Sequence, residues 1–254
     1  MSRTFILDVS SFVHRAYHVS KDRPTFTKDG TPNAAVNVFR TMLNKLRNDH
    51  SPDYLVAACD VNEPSFRMKL YPAYKAQRPA PDEALVKQLP GCRAVLIQEH
   101  IPIFEMAGYE ADDIIGTLCQ RIEGDVVIVS GDKDMAQLVE WSGRVTMLNT
   151  NTNKFLDDGG VFEEYGIYPS HVVDYLALVG DTSDNVPGCN GVGPEGARML
   201  LKMFNGVEDI IRNAGQISSN RYRHAVLAHR EDILLSKRLV TIDCNVPLPE
   251  DLVF

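Results

Sequence analysis

Apolar residues in this chain gather first into short unbroken runs. TFILDV carries Asp8, YLVAACD ends at Asp60, and DVVIVSGDKD runs into Asp132 and Asp134. Continuous apolar runs of this length predict strands buried on both faces of a parallel sheet. Between them, over residues 34–46 (AAVNVFRTMLNKL) and 112–122 (DDIIGTLCQRI), apolar positions recur at helical spacing. Strand alternating with helix predicts an α/β fold with right-handed crossovers.

Two departures from this pattern divide the chain. Between Asp60 and Glu99 the segment SFRMKLYPAYKAQRPAPDEALVKQLPGCR is studded with proline and locally basic, with Arg67, Lys69, Lys75 and Arg78 ahead of Pro79 and Pro81. A connection that long is functional or carries structure of its own, so we expect a basic excursion of short helices at about 61–99. After Gly166 the pattern turns helical: VVDYLALVGD reads as one helix, GCNGVGPEGARMLLKMF as a glycine turn opening another, and the segment from Ser219 to Ile242 as one or two more. The predicted organisation is an α/β core over 1–168 and a helical module over 169–254, with the glycine turn at about 185–204. The final LPEDLVF reads as a tail.

Strand-end aspartates share one edge of a parallel sheet, where α/β folds bind their ligands. The stretch GYEADDIIGTL adds Glu110, Asp112 and Asp113 at a helix start, and Asp181 and Asp184 precede the glycine turn. Setting aside these three, the pair, and Asp8, Asp60, Asp132 and Asp134 leaves 25 of the 34 acidic residues against 26 basic ones, so the net charge of -8 is concentrated in one set. A single aspartate at such a place is usually a helix cap or a turn residue. Nine at converging places, without His or Cys, suit hard cations such as Mg²⁺ or Mn²⁺. Two such ions can clamp a phosphodiester for hydrolysis. The turn at Gly191, Val192 and Gly193, followed by Pro194, can aim backbone N–H groups at a phosphate.

Composition narrows the field. With 44% hydrophobic and 24% charged residues this is an ordinary globular chain able to bury a core. MSRTFILDV lacks the parts of a signal peptide and no apolar run is long enough to span a bilayer, which predicts a cytoplasmic protein with no membrane partner. The five cysteines form no CxxC pair and read as reduced thiols. His14 and His18 share helical spacing but have no third ligand nearby.

The motifs LDVSSFVHRAYH, YKAQRP, GYEADDIIGTL, VSGDKDMAQLV and LVGDTSDNVPGCNGVGPEGA, in this order and across nearly the whole chain, resemble the 5′ nucleases. That family includes bacteriophage 5′-exonucleases, flap endonucleases and the N-terminal nuclease domain of bacterial DNA polymerase I, to which the resemblance is strongest. It implies a PIN-like 5′ nuclease fold with a helical arch over the excursion and a helix-three-turn-helix element at the glycine turn. The activity implied is structure-specific: removal of 5′ flaps and 5′-terminal nucleotides from DNA, with action on RNA in RNA/DNA hybrids, by a monomer working at the nucleoid. The substrates implied are DNA with a 5′ flap, a nick or a 5′ end.

Carried over position by position, the resemblance makes Asp60 and Asp112 ligands of one metal, with Asp8 and Glu110 close by. Asp132 and Asp134 become ligands of a second, with Asp112 bridging, and Asp113, Asp181 and Asp184 complete the acidic set. Lys75 and Arg78 match basic arch residues that approach the scissile phosphate, and Tyr74 matches an aromatic that stacks on a base. Arg15 and Lys133 are further phosphate contacts. The hairpin residues Gly191, Val192 and Gly193, with Arg198 and Lys202, grip duplex backbone, and its carbonyls hold K⁺. Backbone contacts carry little sequence information, so a junction's shape is what should be recognised.

Two other readings stay open: a junction-binding protein of this fold without turnover, and a toxin-like ribonuclease acting on single-stranded RNA. The arch segment is slightly short and interrupted at Pro90 and Gly91. Cooperation with a polymerase or a ligase is left open, as is whether the chain stands alone or is part of a longer polymerase.

Overall fold

The computed structural model describes residues 2–249, so residues 250–254 of the expected tail lie outside the described residues. Strands β1 (Arg3–Asp8), β2 (Tyr54–Ala58), β3 (Ile103–Phe104), β4 (Asp125–Ser130), β5 (Val145–Asn149) and β6 (Lys154–Leu156) form one sheet in the order β3-β2-β1-β4-β5-β6. All neighbours run parallel except β5 and β6. The central strands are buried on both faces, as their unbroken apolar runs require. The short strands β3, β5 and β6 carry no comparable run.

Helices α1 (Val9–Ser20), α2 (Ala34–His50), α3 (Phe66–Leu70), α4 (Glu83–Val86), α5 (Leu89–Gln98), α6 (Ala111–Arg121) and α7 (Asp158–Tyr165) accompany the sheet. One face is covered by α1, α2 and α5 around Phe12, Phe39 and Leu96. The other packs on α6 around Ile114, Ile115 and Leu118. The excursion is narrower than the spacing predicts. Its second half folds back as α5, burying Cys92, Val95 and Leu96 against the core, because proline at the first turn is compatible with a helix start. What remains over the sheet edge is the segment around residues 71–82.

Helices α8 (Val172–Val179), α9 (Pro194–Met203), α10 (Val207–Arg212), α11 (Asn220–Ala228) and α12 (Arg230–Val240) complete the chain. They share a core at Leu200, Ile210, Val226 and Ile233. Leu239, Val240 and Ile242 belong to the same apolar cluster as Ile114 and Ile128, so the helical part packs directly on the sheet layer. A turn links α8 to α9 by the closest backbone approach of this region. A Cβ on Gly188 (φ 65°) would lie 2.6 Å from the Gly180 nitrogen, and one on Gly180 (φ 74°) would lie 2.6 Å from the Val186 oxygen. Only glycine permits this contact. It fixes the loop that carries Asp181 and Asp184.

Candidate active site

The carboxyl ends of β1, β2 and β4 open into one cleft of about 850 Å³, lined among others by Asp8, Asp60, Glu110, Asp112, Asp132, Asp134, Asp181 and Asp184. Eight of the nine predicted acids therefore meet there. Local chemistry explains the placement. Asp8 caps α1, accepting from the Ser11 N–H at 3.0 Å, while its second oxygen accepts from Ser130 Oγ at 2.6 Å. Asp60 accepts from Ser10 Oγ at 2.5 Å and from the Ala111 N–H at 2.8 Å, which ties the end of β2 to the start of α6. Asp132 caps the 3-10 turn Lys133–Leu138 by accepting from the Asp134 N–H at 2.9 Å. The serines beside these acids were visible in the sequence only as neighbours.

The three carboxylates of GYEADD have separate fates. Asp112 is the one that faces the cleft with no hydrogen-bond donor among the described residues. Burial raises its pKa well above the carboxylate range, and the charges of Asp8, Asp132, Asp60 and Glu110 raise it further. Glu110 accepts from Ser65 Oγ at 2.9 Å, Lys75 Nζ at 2.9 Å and the Tyr74 hydroxyl at 3.2 Å. Burial pushes Glu110 up, but Lys75 and Arg67 outweigh it and hold the carboxyl below its ordinary value.

Asp113 is a correction to the expected ligand set. It is fully buried, and its two oxygens take 2.7 Å bonds from Nη1 and Nη2 of Arg67, besides the N–H groups of Glu110 and Asp243. Its side chain faces away from the cleft, into the packing beneath α3 and α12. Arg67, read from sequence as one more basic residue of the excursion, is 2% exposed and also donates to the carbonyls of Leu239 and Thr241. Helical spacing already separates neighbours such as Asp112 and Asp113 by about 100°, the signal that could have split them.

A second group of acids surrounds Asp134. Burial raises Asp134 to about 7, with Asp132 as the leading charge and Asp181 and Asp184 behind it. One of its oxygens, Oδ1, is buried without any hydrogen-bond partner among the described residues. Burial likewise raises Asp8 to about 6 against its hydrogen bonds, with help from Asp132 and Asp60. Asp132 is thus the acid whose charge reaches both groups. Asp181 moves the other way: burial raises it, and Ser183 and Lys133 lower it by more.

Lys75, Arg78 and Lys133 are held at the rim by carboxylates. Arg78 pairs with Asp184, Nε donating at 2.9 Å, and Lys133 Nζ lies 3.2 Å from Asp181. Lys75, with φ 57°, donates its N–H to the Asp184 carbonyl at 2.9 Å while its ammonium reaches Glu110. The basic segment is thereby docked on the loop of Asp181 and Asp184. Tyr74 corrects the base-stacking expectation. Its ring is 5% exposed and belongs to the core cluster, with Lys75 Nζ 4.9 Å from the ring centre, so only the hydroxyl addresses the cleft.

The glycine turn stands apart from the acids. Gly191 has φ 94°, Gly193 caps α9 with open space where a Cβ would point, and Val192 is buried. The first turn of α9 follows Pro194, leaving backbone N–H groups at the surface. Lys202 is exposed, whereas Arg198 donates to the Tyr165 carbonyl at 3.0 Å and lies over the Tyr175 ring. Arg198 therefore also braces α9 against α7 and α8.

Family comparison matches residues 3–166, which carry six of the eight cleft acids, to the N-terminal resolvase-like domain of the 5′-3′ exonucleases, and residues 167–253, which carry Asp181 and Asp184, to their C-terminal SAM fold. The chain belongs to the 5′-3′ exonuclease family. It is 38% identical to the 5′-3′ exonuclease of Aquifex aeolicus over 256 residues, covering 99% of this chain and 86% of that one. It is 32% identical over 254 residues to the DNA polymerase I of Borreliella burgdorferi, covering 98% of this chain. There the chain spans 28% of the relative's length, so the match is to the nuclease part of polymerase I.

The fold is that of bacteriophage T5 5′-exonuclease, with a TM-score of 0.80 at 21% identity over 95% of this chain and 90% of that one, in a structure with bound zinc. A T5 flap endonuclease complex with DNA and metal ions aligns at a TM-score of 0.77 and 20% identity, over 95% and 89% of the two chains. No described helix is long and apolar enough to cross a membrane.

Proposed function

We propose that this 5′-3′ exonuclease is a structure-specific DNA nuclease that removes 5′ flaps and 5′-terminal nucleotides, and RNA from RNA/DNA hybrids, with two divalent cations. The observation that carries the reading is the convergence of eight carboxylates on one cleft, three of them raised by burial and then by one another's charge, with Asp134 Oδ1 buried and unpartnered. Such an all-oxygen site fits a hard cation, and relatives of this fold bind DNA and metal ions. Among the described residues no three of these acids are placed to hold a metal ion by themselves. Mg²⁺ and Mn²⁺ commonly take waters and substrate phosphate oxygens as well, so the acids need not supply every ligand.

Asp8, Asp60, Glu110 and Asp112 would hold one ion, and Asp132 and Asp134 the other, backed by Asp181 and Asp184. Asp112 would link the two groups, and the charge of Asp132 reaches acids of both. When bound, the ions supply Lewis acidity to the attacking water and the leaving oxygen. The protein's own residues do the positioning. Lys75 and Arg78 sit on carboxylates that a scissile phosphate can displace, so their charge transfers to the substrate as it enters. Lys133 stands ready on Asp181 in the same way.

The α9 N-terminus with Gly191 and Gly193 takes a duplex phosphate through backbone N–H groups, with Lys202 beside it. K⁺ on the hairpin carbonyls is part of the same proposal, which exchanging K⁺ for Na⁺ in a duplex-binding assay tests. The partition into a nuclease core of 1–168 and a DNA-binding module of 169–254 is part of this reading, as are action as a monomer and a cytoplasmic site of work. The test is a gel comparing an end-labelled 5′ flap, a nicked duplex and a single strand, with and without Mg²⁺. Cleavage at the flap junction only with Mg²⁺ supports the reading. Tight flap binding without cleavage at any Mg²⁺ or Mn²⁺ concentration would leave a non-catalytic junction binder, and RNA cleavage indifferent to a junction a ribonuclease.

A further inference from the structure

We infer that Asn151 is a positioning residue that keeps the full charge of Arg15 available for a substrate phosphate. The cleft is lined by Arg15, Arg67, Lys75, Arg78 and Lys133. Arg67 is paired with Asp113, Lys75 with Glu110, Arg78 with Asp184 and Lys133 with Asp181. Among the described residues Arg15 has no carboxylate within ion-pair distance. Its partner is the neutral amide of Asn151, with Nη1 donating to Oδ1 at 3.3 Å.

The amide is itself held in place. Asn151 Nδ2 donates to the Gly131 carbonyl at 3.0 Å, and its own N–H donates to Asn149 Oδ1 at 2.9 Å. The Gly131 N–H in turn donates to Ser11 Oγ at 2.9 Å. Gly131 makes this approach possible, since a Cβ there would fall 2.7 Å from Asn151 Nδ2. With Nδ2 committed to a carbonyl, Oδ1 must face Arg15, so the amide can turn only one way. The chain of bonds runs from the end of β5, across the loop that carries Asp132, to α1.

An aspartate at 151 would offer Arg15 the same reach as a carboxylate partner and would cancel its charge, as happens at the other cleft cations. Asparagine fixes the guanidinium without neutralising it. Arg15 then attracts a phosphate without first having to leave a carboxylate. The ligand class is a phosphodiester oxygen of a nucleic acid strand entering the cleft beside Arg15, and the inference rests on the nuclease reading above.

The test measures Kd for a fluorescent 5′-flap DNA across a salt series, with KM and kcat in Mg²⁺, for the parent, Asn151→Asp, Asn151→Ala, Arg15→Gln and the Arg15→Gln/Asn151→Asp double variant. Asn151→Asp should weaken binding by about tenfold and lower the salt slope by about 1, as losing one phosphate contact does, with the loss falling on KM rather than kcat. Asn151→Ala also loses the Gly131 bond but adds no charge, so its loss should be smaller and its salt slope the parent's. On the Arg15→Gln background, Asn151→Asp should add little, because the charge it cancels is already gone. An Asn151→Asp protein that binds like the parent, or one whose penalty is equally large without Arg15, overturns the inference. Those outcomes leave the nuclease reading intact as long as the parent cleaves the flap; a parent that does not cleave overturns that reading instead.

Discussion

Arg67 and Asp113 form a two-point ion pair, both bonds 2.7 Å long, with neither side chain reaching solvent by more than a few per cent. The pair joins the start of the basic segment to α6, and through the Leu239 and Thr241 carbonyls it reaches the end of α12. A carboxylate expected to bind metal is thus spent on holding the two halves of the chain together.

Breaking that pair should damage stability rather than metal response. Asp113→Asn leaves the Arg67 charge buried and poorly paired, which costs on the order of 3–5 kcal/mol in urea unfolding. Whatever protein remains folded should still gain thermal stability from Mg²⁺. A near-parental unfolding midpoint together with a lost Mg²⁺ response would return Asp113 to the metal site.

Asp112 should behave in the opposite way. Removing its charge by Asp112→Asn relieves repulsion from Asp8, Asp132, Asp60 and Glu110, so the metal-free protein should melt higher than the parent. The rise in Tm on adding Mg²⁺ should shrink. Paired melting curves in EDTA and in Mg²⁺ measure both effects.

The raised carboxylates also set a pH dependence. Asp8 at about 6 and Asp134 at about 7 both lie above the ordinary aspartate value of 3.8, so between these limits the folded state binds more protons than the unfolded. Their contribution is present in full below pH 3.8 and is lost as pH rises through 6 and 7. Glu110 and Asp181 are lowered, so their contribution fades only below the normal carboxylate range. In EDTA the protein should therefore melt higher at pH 5 than at pH 8, by roughly 5 °C. Mg²⁺ should remove most of the gap by stabilising the protein at pH 8.

Tyr74 offers a test of core against stacking roles. Tyr74→Phe keeps the buried ring and gives up hydroxyl bonds to Glu110 and Asp184, at about 1 kcal/mol. Tyr74→Ala should cost about 3–5 kcal/mol, as for other buried aromatics. If Tyr74→Ala were as stable as the parent but bound single strands poorly, the ring would be a base platform after all.

Much of this site was legible in the sequence because strand ends are. Unbroken apolar runs placed Asp8, Asp60 and Asp132 on one edge, and the structure brings them together with Glu110, Asp112, Asp134, Asp181 and Asp184. Less legible was the direction of each side chain. Asp112 and Asp113 are adjacent in sequence yet only Asp112 lines the cleft, and a basic residue such as Arg67 gives no sign of being buried until its partners are known. The proline-rich segment misled for a similar reason: apolar Val95 and Leu96 sit in the core, while the prolines before them suggested that the excursion of short helices ran on over the sheet edge. Edge strands as short as β3 and β6 carry too few residues for any period to register.

On the proposed reading, carboxylates from both groups act with divalent cations to hydrolyse DNA at a 5′ junction. Single-turnover cleavage of a 5′-flap substrate in Mg²⁺ by the parent, Asp112→Ala and Asp134→Ala tests it most directly. Each substitution should slow cleavage by at least about 100-fold, the scale of losing a major electrostatic contribution, while flap binding persists. Cleavage by both variants at the parent's rate would contradict it.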